Sequence, residues 1–180
     1  MSNITNFNYT WEQCKLSDVS NISTGLTGDS NTTQGKFKIT RIETIACGLI
    51  DMSKVGYVNT QPDNKYKLRN GDILYSNINS LKHIGKVAFY CQDLDLYHGT
   101  NLLRISPDSN NFPYFIFENL SKDSSKAWAY KHASIAVNQA SINIKTLSSQ
   151  EIFICSYDEQ KKIGRCFHQL NTLITLHQRM

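Results

Sequence analysis

Residues 139–180 read QASINIKTLSSQEIFICSYDEQKKIGRCFHQLNTLITLHQRM, and two periodicities meet inside this stretch. In SINIK (141–145) Ile142 and Ile144 alternate with polar neighbours, and EIFI (151–154) is a short apolar run. Both read as strands that close a globular domain. Further on, Ile163, Cys166, Phe167, Leu170, Leu173 and Ile174 recur every three or four positions, and His177 continues the row. That spacing is one face of an amphipathic helix. Ser156 and Glu159 stand at S-x-x-E spacing, where each can satisfy a free backbone N–H at the helix start. Asp158 and Glu159 suit the positive end of the helix dipole. Gly164 is expected to weaken the helix by about 1 kcal/mol relative to Ala. Roughly 20 residues make a rod near 30 Å long. Two readings of the apolar face stand open: it packs on its own domain, or it pairs with another helix. The row is unfinished where the sequence stops at Met180, which favours pairing.

The rest of the chain must supply the body to which this helix is attached. At 180 residues it is one domain with an appendage, or two very small ones. Hydrophobic residues make up 40% and charged residues 19%, which argues against disorder. Lys and Arg number 19 against 15 Asp and Glu, a net +4 that permits nucleic-acid binding without demanding it. Asn, Ser and Thr are abundant; such side chains can read base edges or bind phosphate oxygens. An AT-rich genome and ordinary loops would give the same bias. Cys14, Cys47, Cys91, Cys155 and Cys166 are an odd number without a C-x-x-C pair, and read as reduced, mostly buried thiols of a cytoplasmic protein. No signal-peptide pattern is present, and no apolar run approaches the ~20 residues of a membrane span.

Residues 1–10 are polar and read as a flexible N-terminus. WEQCKLSDVS (11–20) is either a short helix or an entering strand. Residues 23–35 contain three glycines and read as a flexible loop, at spacings that match no phosphate-binding motif. KFKITRI (36–42) alternates Phe37, Ile39 and Arg41 against Lys36, Lys38 and Thr40, a half-buried strand with a basic outer face. GLIDM (48–52) is a second short apolar segment. In YKLRNGDILYS (66–76) two strand-like runs flank Asn70-Gly71, the pair favoured in a type I′ hairpin, though a longer loop with the same Gly is open. KVAFYC (86–91) and NLLRIS (101–106) are two more strands, linked by DLDLYHG (93–99). Phe112–Leu120 reads as a short helix with Pro113 in its first turn and Asn110 or Asn111 as its cap. Residues 121–126 read as an exposed link, and AWAYKHAS (127–134) as another short helix.

Catalytic signatures are missing from this pattern. His83, His98, His132, His168 and His177 stand at no metal-ligand spacing. Asp93 and Asp95 read as a solvated loop. A cysteine–histidine nucleophile would have to be assembled in space. Neither an adenine-methylation N-P-P-Y or D-P-P-Y motif nor a cofactor-binding Gly loop occurs.

WEQCKLSDVSNISTG (11–25), LRNGDILYS (68–76), HIGKVAFY (83–90), YHGTNLLRI (97–105) and the closing stretch together resemble a known family. They are similar to a target-recognition domain, and the start of its connecting helix, in the specificity subunit of type I restriction–modification systems. The resemblance covers residues 11–180. It departs at Cys155, where the family commonly has Pro, and this leaves the strand-to-helix turn less rigid. The resemblance implies an α+β domain over residues 11–155, with a mixed, mostly antiparallel twisted sheet and short helices. A coiled-coil-type connecting and dimerisation helix follows over 156–180, cut short relative to the family's two domains and two helices. A half subunit, a truncated product or an excised domain would each look so. The implied role is to read one half of a split double-stranded DNA target without catalysis. Methylation subunits would dock alongside, and a restriction subunit would join them. The chain itself would hold no cofactor; S-adenosylmethionine, ATP and Mg would sit on the partner subunits. A half subunit would pair with a second copy through the helix and read a two-fold symmetric site. The alternative is an orphan protein that docks on methylation subunits without productive DNA reading.

The DNA-contacting residues are argued from side-chain chemistry. Ser76, Asn77, Asn79, Ser80, Lys82 and His83 form a polar loop able to offer amides to adenine and cations to phosphate. Lys131, His132, Asn138 and Gln139 form a second cluster. Lys36, Lys38 and Arg41 are phosphate-contact candidates. A solvated face is the plain alternative for each.

Overall fold

The structure is a computed structural model, and it describes residues 10–27, 32, 34–46, 48–92 and 94–177. Residues 1–9 of the expected flexible N-terminus, part of the 23–35 loop, Cys47, Asp93 and the unfinished end at Met180 lie outside the described residues. The first half of the chain is strand-rich: β1 (Glu12–Lys15), β2 (Ser20–Thr24), β3 (Phe37–Ile39), β4 (Ile45–Ala46), β5 (Leu49–Ile50), β6 (Gly56–Val58), β7 (Ile73–Tyr75), β8 (Ile78–Asn79), β9 (Val87–Phe89), β10 (Leu96–Tyr97) and β11 (Leu103–Pro107). Helices then enter: α1 (Pro113–Ser121), α2 (Asp123–His132), the hairpin β12 (Ser134–Ala136) and β13 (Gln139–Ser141), α3 (Ile144–Ser148), β14 (Glu151–Ile154) and α4 (Tyr157–His177).

The centre is the antiparallel sheet β2-β11-β7-β9. Successive side chains on a strand point to opposite faces, and here both faces are covered. Ile73, Tyr75, Val87, Leu103 and Ile105 enter the larger core with Tyr114, Phe115, Ile116 and Leu120 of α1, Ala129 of α2 and Leu147 of α3. Leu74 and Ala88 enter a smaller core with Ile45, Ile50, Val55, Leu68, Tyr90, Leu96 and Leu102. Smaller sheets ring this centre: β10-β3-β6, β12-β13-β8, β4-β5 and β1-β14. Among the named strand pairs only β10 with β3 is parallel. The α+β, mostly antiparallel expectation therefore holds, divided over several sheets.

Several local expectations change. WEQCK enters as a strand, β1, which pairs with β14 and so brings the two ends of the domain together. Asn70-Gly71 makes a turn but no hairpin. Only Gly71 takes a positive φ, 95°, while Asp72 N–H donates to Arg69 O and Asp72 Oδ2 accepts from Arg69 N–H. β7 pairs instead with distant β11 and β9, because Ile73-Leu74-Tyr75 can be buried on both faces there. Thr40 is buried, not outward, and its Oγ1 accepts the Gly99 N–H at 2.9 Å. Ile144 starts α3 and does not continue a strand, because Asn143 Oδ1 accepts the Thr146 N–H at 2.8 Å. The 121–126 link is already helical from Asp123. Of the described cysteines Cys155 is buried and Cys14 half-buried, whereas Cys91 and Cys166 are exposed; all four are free thiols.

α1 keeps Pro113 in its first turn, but neither Asn110 nor Asn111 caps it. Gln160 of α4 does so from outside the helix. Its Oε1 accepts the Phe112 N–H at 3.0 Å, and its Nε2 donates to Asn111 Oδ1 and to Cys155 O. One buried amide thus fixes where α4 leaves the domain.

Candidate nucleic-acid interface

The two candidate clusters lie far apart in sequence and meet through one strand pairing. β8 pairs antiparallel with β13, Asn79 opposite Ala140 and Ile78 opposite Ser141. β12 completes this small sheet as its free edge. Gly85 closes the loop that carries Lys82 and His83, at φ 76°; a Cβ there would stand 2.6 Å from Ala129 Cβ of α2. Glycine is needed for both the backbone angle and the close approach. The 76–85 loop is therefore seated against α2 on one side and β13 on the other.

Side-chain roles within the clusters divide sharply. Ser76 is buried; its N–H donates to Lys86 O, its carbonyl accepts from Gly85, and its Oγ accepts from Asn79 Nδ2 at 3.0 Å. Asn77 Nδ2 donates to Ile142 O at 3.2 Å, and Asn79 Oδ1 accepts the Ser80 N–H. These three were expected to face DNA. Ser76 is buried and so lies inside the loop, while the half-buried Asn77 and Asn79 have side-chain groups engaged within the loop and with β13's neighbour Ile142. Ser80 and Lys82 are exposed and His83 is half-buried. Lys131, His132, Asn138 and Gln139 are all exposed. The His132 ring stacks on Trp128 with centroids 4.4 Å apart, and its Nδ1 lies 2.8 Å from Trp128 O.

Lys36 and Lys38 are exposed, but they belong to the strand β3 region of a different sheet, on the smaller-core side. Arg41 is half-buried with its Nε 3.4 Å from Glu43. No strand pairing brings these three to the β8–β13 surface.

Charge separates the two areas. Residues 73–92 and 124–150 contain Lys82, Lys86, Lys126, Lys131 and Lys145 and no Asp or Glu at all. All five lysines are exposed; among the described residues Lys126 alone of them pairs with a carboxylate, that of Asp123. The β8–β13 pairing thus joins two stretches that are basic in sequence, a local excess that a chain-wide net charge of +4 conceals. No group of three or more His, Cys, Asp or Glu is placed to hold a metal among the described residues. No described helix is long and apolar enough to cross a membrane.

α4 divides its surface between two directions. The side facing α1 is small and polar: Gln160 as above, Gly164 against Phe112, His168 with its ring 4.6 Å from Tyr114, and Asn171. Asn171 Nδ2 donates to Tyr114 Oη at 3.2 Å and to Glu118 Oε1 at 2.9 Å. Burial raises the Glu118 carboxyl pKa above its ordinary value. The apolar row points elsewhere. Ile163 is half-buried and packs against the larger core. Cys166, Phe167, Leu170, Leu173 and Ile174 are all exposed.

Three features escape a reading of residue types. Gly85 and Gln160 act through geometry. Ile135 and Val137 are exposed on the β12–β13 hairpin. The available signal was Asn138, which tolerates the left-handed backbone such a turn uses.

Comparison with known proteins gives a consistent picture. Residues 8–180 match the family model described as type I restriction modification DNA specificity domain. The chain is 41% identical over 170 residues to a putative type I restriction enzyme MjaX specificity subunit of Methanocaldococcus jannaschii. That match takes in 91% of this chain but 40% of the relative, so the chain spans less than half of that protein's length. Among solved structures, the fold is similar to a type I S subunit from M. genitalium, with a TM-score of 0.61 and 17% identity, covering 97% of this chain and 44% of that one. It is also similar to an HsdS subunit from Thermoanaerobacter tengcongensis, with a TM-score of 0.67 and 16% identity, covering 99% and 41%.

Proposed function

Since the chain belongs to the type I restriction modification DNA specificity family, we propose that it reads one half of a bipartite double-stranded DNA target within a type I restriction–modification complex. The observation that carries this reading is the β8–β13 pairing, which joins two acid-free segments into one lysine-bearing surface. Exposed lysines neutralise phosphates and fix register, while the exposed Asn138 and Gln139 amides can distinguish base edges. Residues 11–155 are the reading domain, and 156–180 are the connecting helix. The exposed row on α4 supports pairing with a second helix, either of a larger specificity subunit or of a second copy of this chain. Methylation subunits dock alongside, and they and a restriction subunit carry the S-adenosylmethionine, ATP and Mg chemistry.

The test is binding by the complex assembled with methylation subunits, on target and scrambled duplexes across a salt series. Preference for the target, with affinity falling steeply as salt rises, supports the reading. Equal binding to both duplexes contradicts it. A second reading, docking on methylation subunits without productive DNA recognition, draws on the exposed α4 row. It predicts that Lys82→Ala leaves DNA affinity intact while Leu170→Asp abolishes assembly.

A further inference from the structure

The β12–β13 hairpin carries an apolar tip that the fold does not use. Ile135 is 69% exposed and Val137 is 92% exposed. Ala136 pairs with Gln139, so the loop is only Val137 and Asn138. Asn138 turns the chain back at φ 60°, a left-handed conformation that a short amide side chain tolerates. Val137 is left at the outermost point of a narrow two-stranded ribbon. Single exposed apolar residues are ordinary on a protein surface. Here two share one hairpin; exposed Lys131 precedes it at the end of α2, and exposed Lys82 follows β8, the strand paired with β13.

Resting on the DNA reading proposed above, we infer that this ribbon enters the major groove and that Val137, with Ile135, packs against the C5-methyl groups of thymine. The major groove is ~12 Å wide and admits a two-stranded ribbon, whereas the ~6 Å minor groove does not without distortion. The thymine methyl is the apolar feature of the major-groove edge. Adenine, its pairing partner, offers the donor and acceptor that the neighbouring Asn138 and Gln139 amides match. A protein strand added to the free edge of β12 is the competing occupant. The surface favours DNA, because β12 offers only three residues to a partner strand and the two chain segments that build its sheet, 73–92 and 124–150, carry lysines and no Asp or Glu.

The half-site is first identified by mapping the adenines that the assembled complex methylates. Duplexes are then made with each thymine of the half-site replaced in turn by uracil, which lacks only the methyl group. At one or two positions uracil weakens wild-type binding about 3- to 10-fold, the worth of one or two buried methyls. Val137→Ala weakens binding to the thymine duplex by a similar factor and no longer distinguishes thymine from uracil there. An unchanged unfolding midpoint confirms that the variant is folded. Equal binding of every uracil duplex, with target still preferred over scrambled DNA, overturns this inference and leaves the DNA reading standing. Loss of that preference in the wild-type complex overturns both. Intact DNA binding with weakened assembly in Val137→Ala makes the tip a protein contact and also overturns the inference.

Discussion

Gly164 of α4 lies directly against Phe112 at the start of α1: a Cβ at position 164 would stand 2.6 Å from Phe112 Cδ1. On helix propensity alone Gly164→Ala would stabilise by about 1 kcal/mol. The contact reverses the sign, because overpacking a fixed ring costs roughly 1–3 kcal/mol. Gly164→Ala is expected to lower the urea midpoint, and Phe112→Leu in the same chain to recover part of the loss. A raised midpoint in the single variant would show that α4 does not sit this close to α1.

The exposed row on the same helix behaves differently. Leu170 is 48% exposed and Leu173 is 63% exposed. Leu170→Asp should change the unfolding midpoint little while reducing helix pairing and assembly with methylation subunits. Size-exclusion chromatography with light scattering reads both oligomeric state and assembly.

His98 gives the domain an acid-side sensitivity. It is buried, its Nε2 lies 2.9 Å from Leu102 O, and its Nδ1 has no hydrogen-bond partner among the described residues. Burial holds its pKa down to about 4, against 6.5 ordinarily. Between those values the unfolded chain binds the proton and the folded chain does not. The stability contribution is therefore complete above pH ~6.5 and is lost as pH falls toward 4, by about 3 kcal/mol. Denaturant unfolding at pH 7.5 and 5 should show a drop that is smaller in His98→Gln.

The polar loop separates structural from DNA-facing groups. Ser76→Ala removes the acceptor for Asn79 Nδ2, and should cost about 1 kcal/mol of stability with DNA preference retained. Lys82→Ala and Lys131→Ala should leave stability unchanged. Each should weaken binding across all sequences and reduce the salt slope by about 1. A stability loss in the lysine variants would mean that these side chains hold the fold.

Much of this was legible in residue order. Short apolar runs marked β9, β11 and β14, alternation marked β3, Pro113 marked α1, and the three-to-four spacing marked α4. What stayed hidden depends on tertiary pairing. Asn70-Gly71 suggested a local hairpin, but both faces of Ile73–Tyr75 find cores, so non-local partners win. Asn79 looked like a free amide, and only the pairing opposite Ala140 shows that its side chain is used within the loop. The α4 row could be seen, but not which side of the helix docks. That depends on Gln160, Gly164 and Asn171, none of which has a large apolar side chain.

Hydrogen exchange of the assembled complex, with and without target DNA, tests most directly whether the β8–β13 surface is the reader. The account predicts added protection on target, together, at residues 78–85 and 131–141, and none of that extent on a scrambled duplex. Protection confined to the β3 region around residues 36–41, with the β8–β13 surface unchanged, would contradict it.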